Sequence, residues 1–315
     1  MPSVSILMNC LNGEKYLNQA IQSVLDQSFR DWELLFIDNC SSDRSKEIVH
    51  NIGDHRIRYF TTQKKLTLGA ARKFGVDRAE ADWIGFLDTD DLWEPEKLDK
   101  QLYYLKTGKY AMCYGGVREI TEQGQLIRDY FPEKETANIS SQLRQYDINL
   151  VTPLISRNFI NSHSLNFNEK IYASEEYNLF LRILTKGKAI VLPDILGSWR
   201  IYPGTLTDRS MKYWASDRLL TLKQLEEENP GINSRFHDEF QSAKARSFYY
   251  QARYHETNND TKSARKSLLD AARIRKTYVV LYCIFFIKPL WKFLHKNKLK
   301  RNLTNLKMFK NLLYK

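Results

Sequence analysis

The chain contains no C-x-x-C pair: Cys10, Cys40, Cys113 and Cys283 are scattered through 315 residues. That spacing argues against a zinc knuckle or a disulfide framework and suits a reducing compartment. The opening "MPSVSILMNC" has neither a basic n-region nor a long apolar h-region, so it reads as a first strand and not as a secretion signal. Long hydrophobic runs are missing too. The apolar stretch from Tyr278 to Ile287 covers 10 residues, whereas a helix needs about 20 to span a bilayer. Acids are absent from one region: residues 271–315 carry 12 Lys and Arg and no Asp or Glu. The rest of the chain holds 36 basic against 37 acidic groups, so the net charge of +11 belongs to that tail. Any polyanionic partner is therefore a partner of the tail alone.

What is present fits a soluble globular protein, with 43% hydrophobic and 27% charged residues. The length allows one large domain or two ordinary ones. Over the first hundred residues strand and helix signals alternate. "VSILMN" is a short β-prone run, and "EKYLNQAIQSVLDQ" places Tyr16, Leu17, Ala20, Ile21, Val24 and Leu25 on one helical face. "ELLFID" is an apolar strand ending in Asp38, followed by the turn-rich "NCSSD" and a helix through Ile52. "RIRYF" is a third strand, "LGAARKFGVDRA" a helix, "WIGFLD" a fourth strand, and Pro95 opens the next helix. This alternation implies right-handed βαβ units on a mainly parallel sheet, with ligands beyond the carboxyl ends of the strands. Asp38 and Asp88 both close apolar strands and so fall on that rim.

"AMCYGGVREI" has the pattern of a strand pair or a hairpin arm, "SEEYNLFLRILTKG" of a helix, and "AIVLP" and "GSWRIY" of two further strands. Beyond Pro203 strand signals cease. The remainder is helical, including an αα-hairpin, which sets a domain boundary near Leu206. The sharpest feature is "WIGFLDTDDLWEPEKL", where an apolar strand runs into Asp88, Asp90 and Asp91. Three crowded acids either shift their pKa values upward or hold a cation. Hard oxygen donors suit Mg²⁺ or Mn²⁺, which commonly bridge to substrate phosphates. Asp91 could instead be a helix N-cap.

"VSILMNCLNGEKYLNQAIQSVLDQSFRDWELLFIDNCSSD" followed by "LGAARKFGVDRAEADWIGFLDTDDLWEPEKL" resembles the inverting nucleotide-sugar glycosyltransferases of family 2. The resemblance covers the first two thirds of the chain. It implies the α/β GT-A fold, a Rossmann-like, mainly parallel sheet flanked by helices, here with a helical C-terminal extension. Residues 1–205 would be the catalytic domain, with a nucleotide-sugar half at 1–110 and an acceptor half at 111–205, and residues 206–315 the helical region with its basic tail. It implies further that Asp38 reads the nucleobase edge, usually uracil, with the backbone around Leu11 and Asn12 lining the pocket. Asp88 and Asp90 would form the D-x-D, the first facing the ribose and the second binding Mn²⁺ or Mg²⁺. Arg72 sits where the family often places a basic group near the donor, and a solvated helix residue is the other reading. The family's general base is the Asp of a Glu-Asp pair. Here the pair is Glu175-Glu176, so Glu176 falls at the base position, with one extra methylene of reach. The family's Tyr-Arg-x-His becomes "SWRIYPGTLT": Arg200 remains a phosphate partner, while Tyr202 stands in the His position, a poor metal ligand with a phenol pKa of about 10 that would hydrogen-bond the nucleotide's diphosphate instead.

After Ile287 basic and bulky apolar residues interleave, with Leu299, Leu303, Leu306 and Leu313 on one helical face. That pattern fits an interfacial helix on an anionic membrane surface, carried by residues 276–315, or else a core helix with a solvated basic end. No nucleic-acid recognition module accompanies the charge. The expectation is a metal-dependent enzyme at the cytoplasmic face of the membrane, moving a sugar from a UDP-sugar to a glycan or lipid-linked glycan in cell-surface polysaccharide synthesis. A non-catalytic nucleotide- or membrane-binding protein on a decayed transferase fold is an alternative. A sugar nucleotidyltransferase fits less well, because "MNCLNGEKYL" has one glycine where such enzymes carry a glycine-rich basic loop.

Overall fold

The computed structural model describes residues 1–295. Nine strands form one sheet: β1 Val4–Cys10, β2 Trp32–Asp38, β3 Ile57–Thr61, β4 Trp83–Phe86, β5 Leu92–Trp93, β6 Met112–Ile120, β7 Leu126–Tyr130, β8 Leu154–Ser156 and β9 Ala189–Arg200. Their order is β3-β2-β1-β4-β8-β6-β9-β5, with β7 off this path and paired with the end of β6 from Val117 to Ile120. The first four strands are parallel, as the alternation predicts. β8 then runs antiparallel to β4, and β6 antiparallel to β8. β1 and β2 are buried on both faces, which explains why they read as unbroken apolar runs.

The helices over the same stretch of chain are α1 Glu14–Leu25, α2 Ser45–Ile52, α3 Leu68–Val76, α4 Lys97–Leu105, α5 Ile139–Arg144, α6 Arg157–Ser162 and α7 Glu175–Lys186. α1 buries Tyr16, Leu17, Ala20, Ile21 and Val24, the face expected from its spacing. Thr67 caps α3 by accepting the Ala70 N–H at 3.2 Å.

Three local expectations give way. "AIVLP" and "GSWRIY" form the single strand β9. Its register against β6 passes from Gly115↔Leu192 to Gly116↔Ile195, leaving Pro193 and Asp194 out of the ladder. A bulge accommodates the proline, which has no N–H to donate. Asp91 caps no helix, because β5 intervenes and α4 starts only at Lys97, two residues beyond Pro95. Arg72, one reading of which was a solvated residue, is buried.

Residues 1–139 and 147–202 form one compact unit; residues 140–146 and the chain from Pro203 form the other. The second unit contains α8 Leu206–Arg209, α9 Met211–Glu228, α10 Ile232–Arg235, α11 His237–Thr257, α12 Thr261–Ile274, α13 Tyr278–Phe285 and α14 Lys288–His295. α11 and α12 pack through Leu268 and through Ala245, Ala252, Ala264 and Ala271, whose small side chains allow close approach. The interfacial helix expected from Leu299, Leu303, Leu306 and Leu313 lies outside the described residues.

Candidate active site

Parallel pairing levels the carboxyl ends of three strands. Cys10 pairs with Asp38, and the β1–β4 register, Val4↔Trp83 to Leu7↔Phe86, sets Asn9 level with Asp88 two residues further on. β1 lies between β2 and β4, so this rim is the switch point where a parallel sheet leaves a crevice.

On the β2 side Asp38 is almost fully buried. Its Oδ1 accepts the Ser41 N–H at 2.8 Å, and its Oδ2 accepts the Tyr59 hydroxyl. The loops after β1 and β2 are laced together. The Asn12 N–H donates to Ser41 Oγ at 3.0 Å, and Asn12 Oδ1 accepts the Ser42 N–H at 2.8 Å. Asn12 adopts a left-handed φ of 58°, a conformation that asparagine tolerates better than most residues. Leu11 beside it is exposed. Gly13 brings this loop against the acidic turn: a Cβ there would lie 2.8 Å from Thr89 Oγ1 and 3.0 Å from Cys10 Sγ.

The acidic turn is held from three directions. Arg72 Nη2 donates to Asp88 Oδ1 at 2.8 Å. Asp91 is buried, and its Oδ1 accepts the Arg200 N–H at 2.9 Å. The Tyr202 hydroxyl donates to Asp90 Oδ2 at 2.9 Å. Arg200, the expected phosphate partner, has its guanidinium engaged within the chain. It is buried, and its guanidinium donates to Asp90 O at 2.8 Å, Glu122 O at 2.8 Å and Gln19 Oε1 at 3.0 Å. Its planar fork also lies over the Tyr16 ring, whose hydroxyl donates to Glu122. The geometry makes Arg200 the clamp of the acidic turn.

Arg72 joins this turn to a second element. Besides Asp88 it pairs with Glu175, a carboxylate that is 1% exposed at the start of α7. Gly69 permits the approach, since a Cβ there would stand 2.7 Å from Asn168 O and 3.0 Å from Ile171 O. Glu175 thus has a buried counter-ion and is itself enclosed, whereas Glu176, next along the helix, is half-buried.

The charges are mutually strained. Burial, and then the negative charge of Asp88, pushes the Asp90 carboxyl up from its ordinary value. Burial, followed by Asp90 and Asp88, raises Asp91 well above the usual range. Among the described residues no three His, Cys, Asp or Glu side chains converge as a ready-made metal cage. A two-carboxylate site fits a divalent cation nonetheless, because Mg²⁺ typically takes one or two carboxylates and completes its shell with water and substrate phosphates.

Several participants escaped the sequence reading. Tyr16, Gln19 and Glu122 hold Arg200 and carry no motif of their own. Tyr59 on Asp38 was hidden in a strand. The Asn9 amide has neither polar atom paired although both are buried, and a lone polar residue near the end of an apolar strand was its only signal.

Residues 5–172 match the family described as Glycosyl transferase family 2. The chain is similar to an uncharacterized glycosyltransferase of Haemophilus influenzae, 33% identical over 215 residues, 68% of this chain and 84% of that protein. It is also similar to an Escherichia coli UDP-Glc:alpha-D-GlcNAc-diphosphoundecaprenol beta-1,3-glucosyltransferase, 30% identical over 66% of this chain and 81% of that one. A putative teichuronic acid biosynthesis glycosyltransferase of Bacillus subtilis is 25% identical over 67% and 84%. Among solved structures, S. aureus TarS 1-349 in complex with UDP-GlcNAc superposes with a TM-score of 0.68 at 14% identity, covering 92% of this chain and 88% of that one. A Pyrobaculum calidifontis mannosyltransferase with GDP-Man and Mn²⁺ gives 0.59 at 12% identity, over 99% and 86%. At such identities these two likenesses speak for the fold alone.

Proposed function

The chain belongs to glycosyl transferase family 2 and has the GT-A fold, and from that premise we propose that it moves a sugar from a UDP-sugar to a hydroxyl of a glycan or lipid-linked glycan, with inversion and with help from Mn²⁺ or Mg²⁺. The observation that carries this reading is Arg72, which ties the acidic turn to the first turn of α7. Through it the metal candidates and the base candidate share one rigid frame. The pathway is cell-surface polysaccharide synthesis at the inner membrane face, with residues 276–315 attaching the protein to anionic lipid. The names of the Escherichia coli and Bacillus subtilis relatives favour that assignment.

Asp88 and Asp90 are the residues that would hold the cation. Once bound, the cation acts as a Lewis acid that neutralises the diphosphate leaving group. Asp38, with the backbone at Leu11 and Asn12, receives the base. Glu176 takes the proton from the acceptor hydroxyl, whose oxygen attacks the anomeric carbon opposite the diphosphate. The bond to the leaving phosphate oxygen breaks as the new one forms, which inverts the centre. Arg200 and Glu175 are positioning residues.

Thermal stabilisation by UDP, GDP and dTDP, each with and without Mn²⁺, tests the donor class. The expected shift requires UDP and Mn²⁺ together and is lost in Asp90→Ala. A shift that survives in Asp90→Ala would refute the metal assignment, and silence with every nucleotide would refute the donor class.

Tyr202 makes a second prediction. Its hydroxyl occupies an Asp90 oxygen that a cation would use, and a hydrogen bond to a charged group is worth about 1.5 kcal/mol. Tyr202→Phe should therefore bind Mn²⁺ in the presence of UDP about tenfold more tightly. Titration calorimetry reads this directly, and weaker binding would mean that Tyr202 supports Asp90 instead.

A further inference from the structure

α13 is apolar on both of its faces. Tyr278, Leu281, Ile284 and Phe285 are buried and pack with α11 and α12. The opposite face presents Val279, Val280 and Cys283 to solvent, and Phe286, Ile287 and Leu290 continue the exposed apolar series into α14. Phe286 and Ile287 are 50% and 54% exposed, high values for adjacent bulky apolar residues. These positions recur every three or four residues, the spacing of a helical stripe. A core helix needs only the first face, so the second asks for an apolar partner.

Charge identifies the partner. From residue 271 onward 12 Lys and Arg are present and no acid, including Lys276 and Lys288 on either side of the stripe. Arg273 and Arg275 are paired with Asp270 and Asp238, but an apolar stripe in a segment whose own charges are all basic is complementary to a surface with acyl chains beneath negative headgroups. No helix among the described residues is long and apolar enough to cross a membrane, which leaves attachment in the plane of the interface. We infer that Val279, Val280, Cys283, Phe286, Ile287 and Leu290 form an interfacial insertion surface for an anionic bilayer. The basic residues supply long-range attraction and this stripe supplies depth. The inference rests on the membrane attachment proposed above and assigns it to particular side chains.

The test uses the full chain and vesicles of phosphatidylcholine with or without phosphatidylglycerol. A polarity-sensitive dye on Cys283, in a Cys40→Ser background, should shift to the blue with the anionic vesicles only. The double variant Phe286→Glu/Ile287→Glu should float with them at least tenfold less, while keeping its thermal shift with UDP and Mn²⁺. Both substitutions are at exposed positions, so folding should be retained, and the nucleotide shift reports it. Flotation equal to the parent's would overturn the stripe and leave attachment to the basic residues. A dye already shielded without vesicles would overturn it differently, by showing that another part of this chain covers the face. Parent protein that floats with neither vesicle overturns membrane attachment altogether. The sugar-transfer reading stands or falls separately, on the nucleotide shift.

Discussion

Glu176→Gln should bind UDP-sugar and Mn²⁺ as the parent does and lose transfer by about 10²- to 10⁴-fold, the range general-base catalysis typically contributes. The amide keeps the shape and hydrogen-bonding reach of the carboxylate but cannot accept the acceptor's proton. The neighbouring acid cannot replace it, because Glu175 is buried against Arg72. Glu176→Asp restores the chemistry with a shorter arm and should recover part of the rate. Single-turnover transfer beside nucleotide-induced thermal shifts separates the two effects. Unchanged transfer in Glu176→Gln would place the base elsewhere.

Arg72→Met should cost about 3–5 kcal/mol of stability, the usual penalty for removing one partner of a buried ion pair. At roughly 2–4 °C per kcal/mol for a domain of this size, the midpoint should fall by on the order of 10 °C. The cost arises at Glu175, since Asp88 is 40% exposed and can be resolvated. The double variant Arg72→Met/Glu175→Leu should regain most of the loss, because an apolar pair leaves no stranded charge. The sign of the pH dependence follows from burial, which raises the Glu175 carboxyl above its ordinary value of 4.5 even with Arg72 lowering it in opposition. Between the two values the folded protein keeps a proton there that the unfolded chain has released, and above the raised value Glu175 is the charged partner of Arg72. Stability therefore falls as pH climbs from about 4.5 towards the raised value, and Arg72→Met should extend that fall to higher pH. Denaturation midpoints from pH 5 to 8 for Arg72→Met, the double variant and the parent would show it. A flat profile in Arg72→Met would mean that Glu175 is solvated after all.

Much of the first unit was legible because its physics is local. β1, β2 and the helix face of α1 followed from apolar runs and i, i+1, i+4 spacing, and periodicity of that kind survives whatever the element packs against. The acidic turn was equally plain, since three acids after an apolar strand have few structural uses. β5 and β8 were not legible: each is two or three residues long and exists only because a neighbouring strand supplies its ladder. The same holds for Asp91, whose acid could have capped a helix until the register of β9 delivered the Arg200 N–H to it.

The sequence alone therefore determined the family, the α/β order of the first unit, the acids at the strand ends and the candidate base pair. These depend on composition and spacing within single segments. Tertiary structure decided how those groups divide the work. It sent Arg72 inward to Glu175 and Asp88, set the Arg200 guanidinium on the acidic turn, and set the Tyr202 hydroxyl on Asp90. Each of these is a contact between residues 16 to 112 positions apart. A charged side chain's partner at such separation is chosen by sheet register and helix packing, and no local pattern encodes that choice.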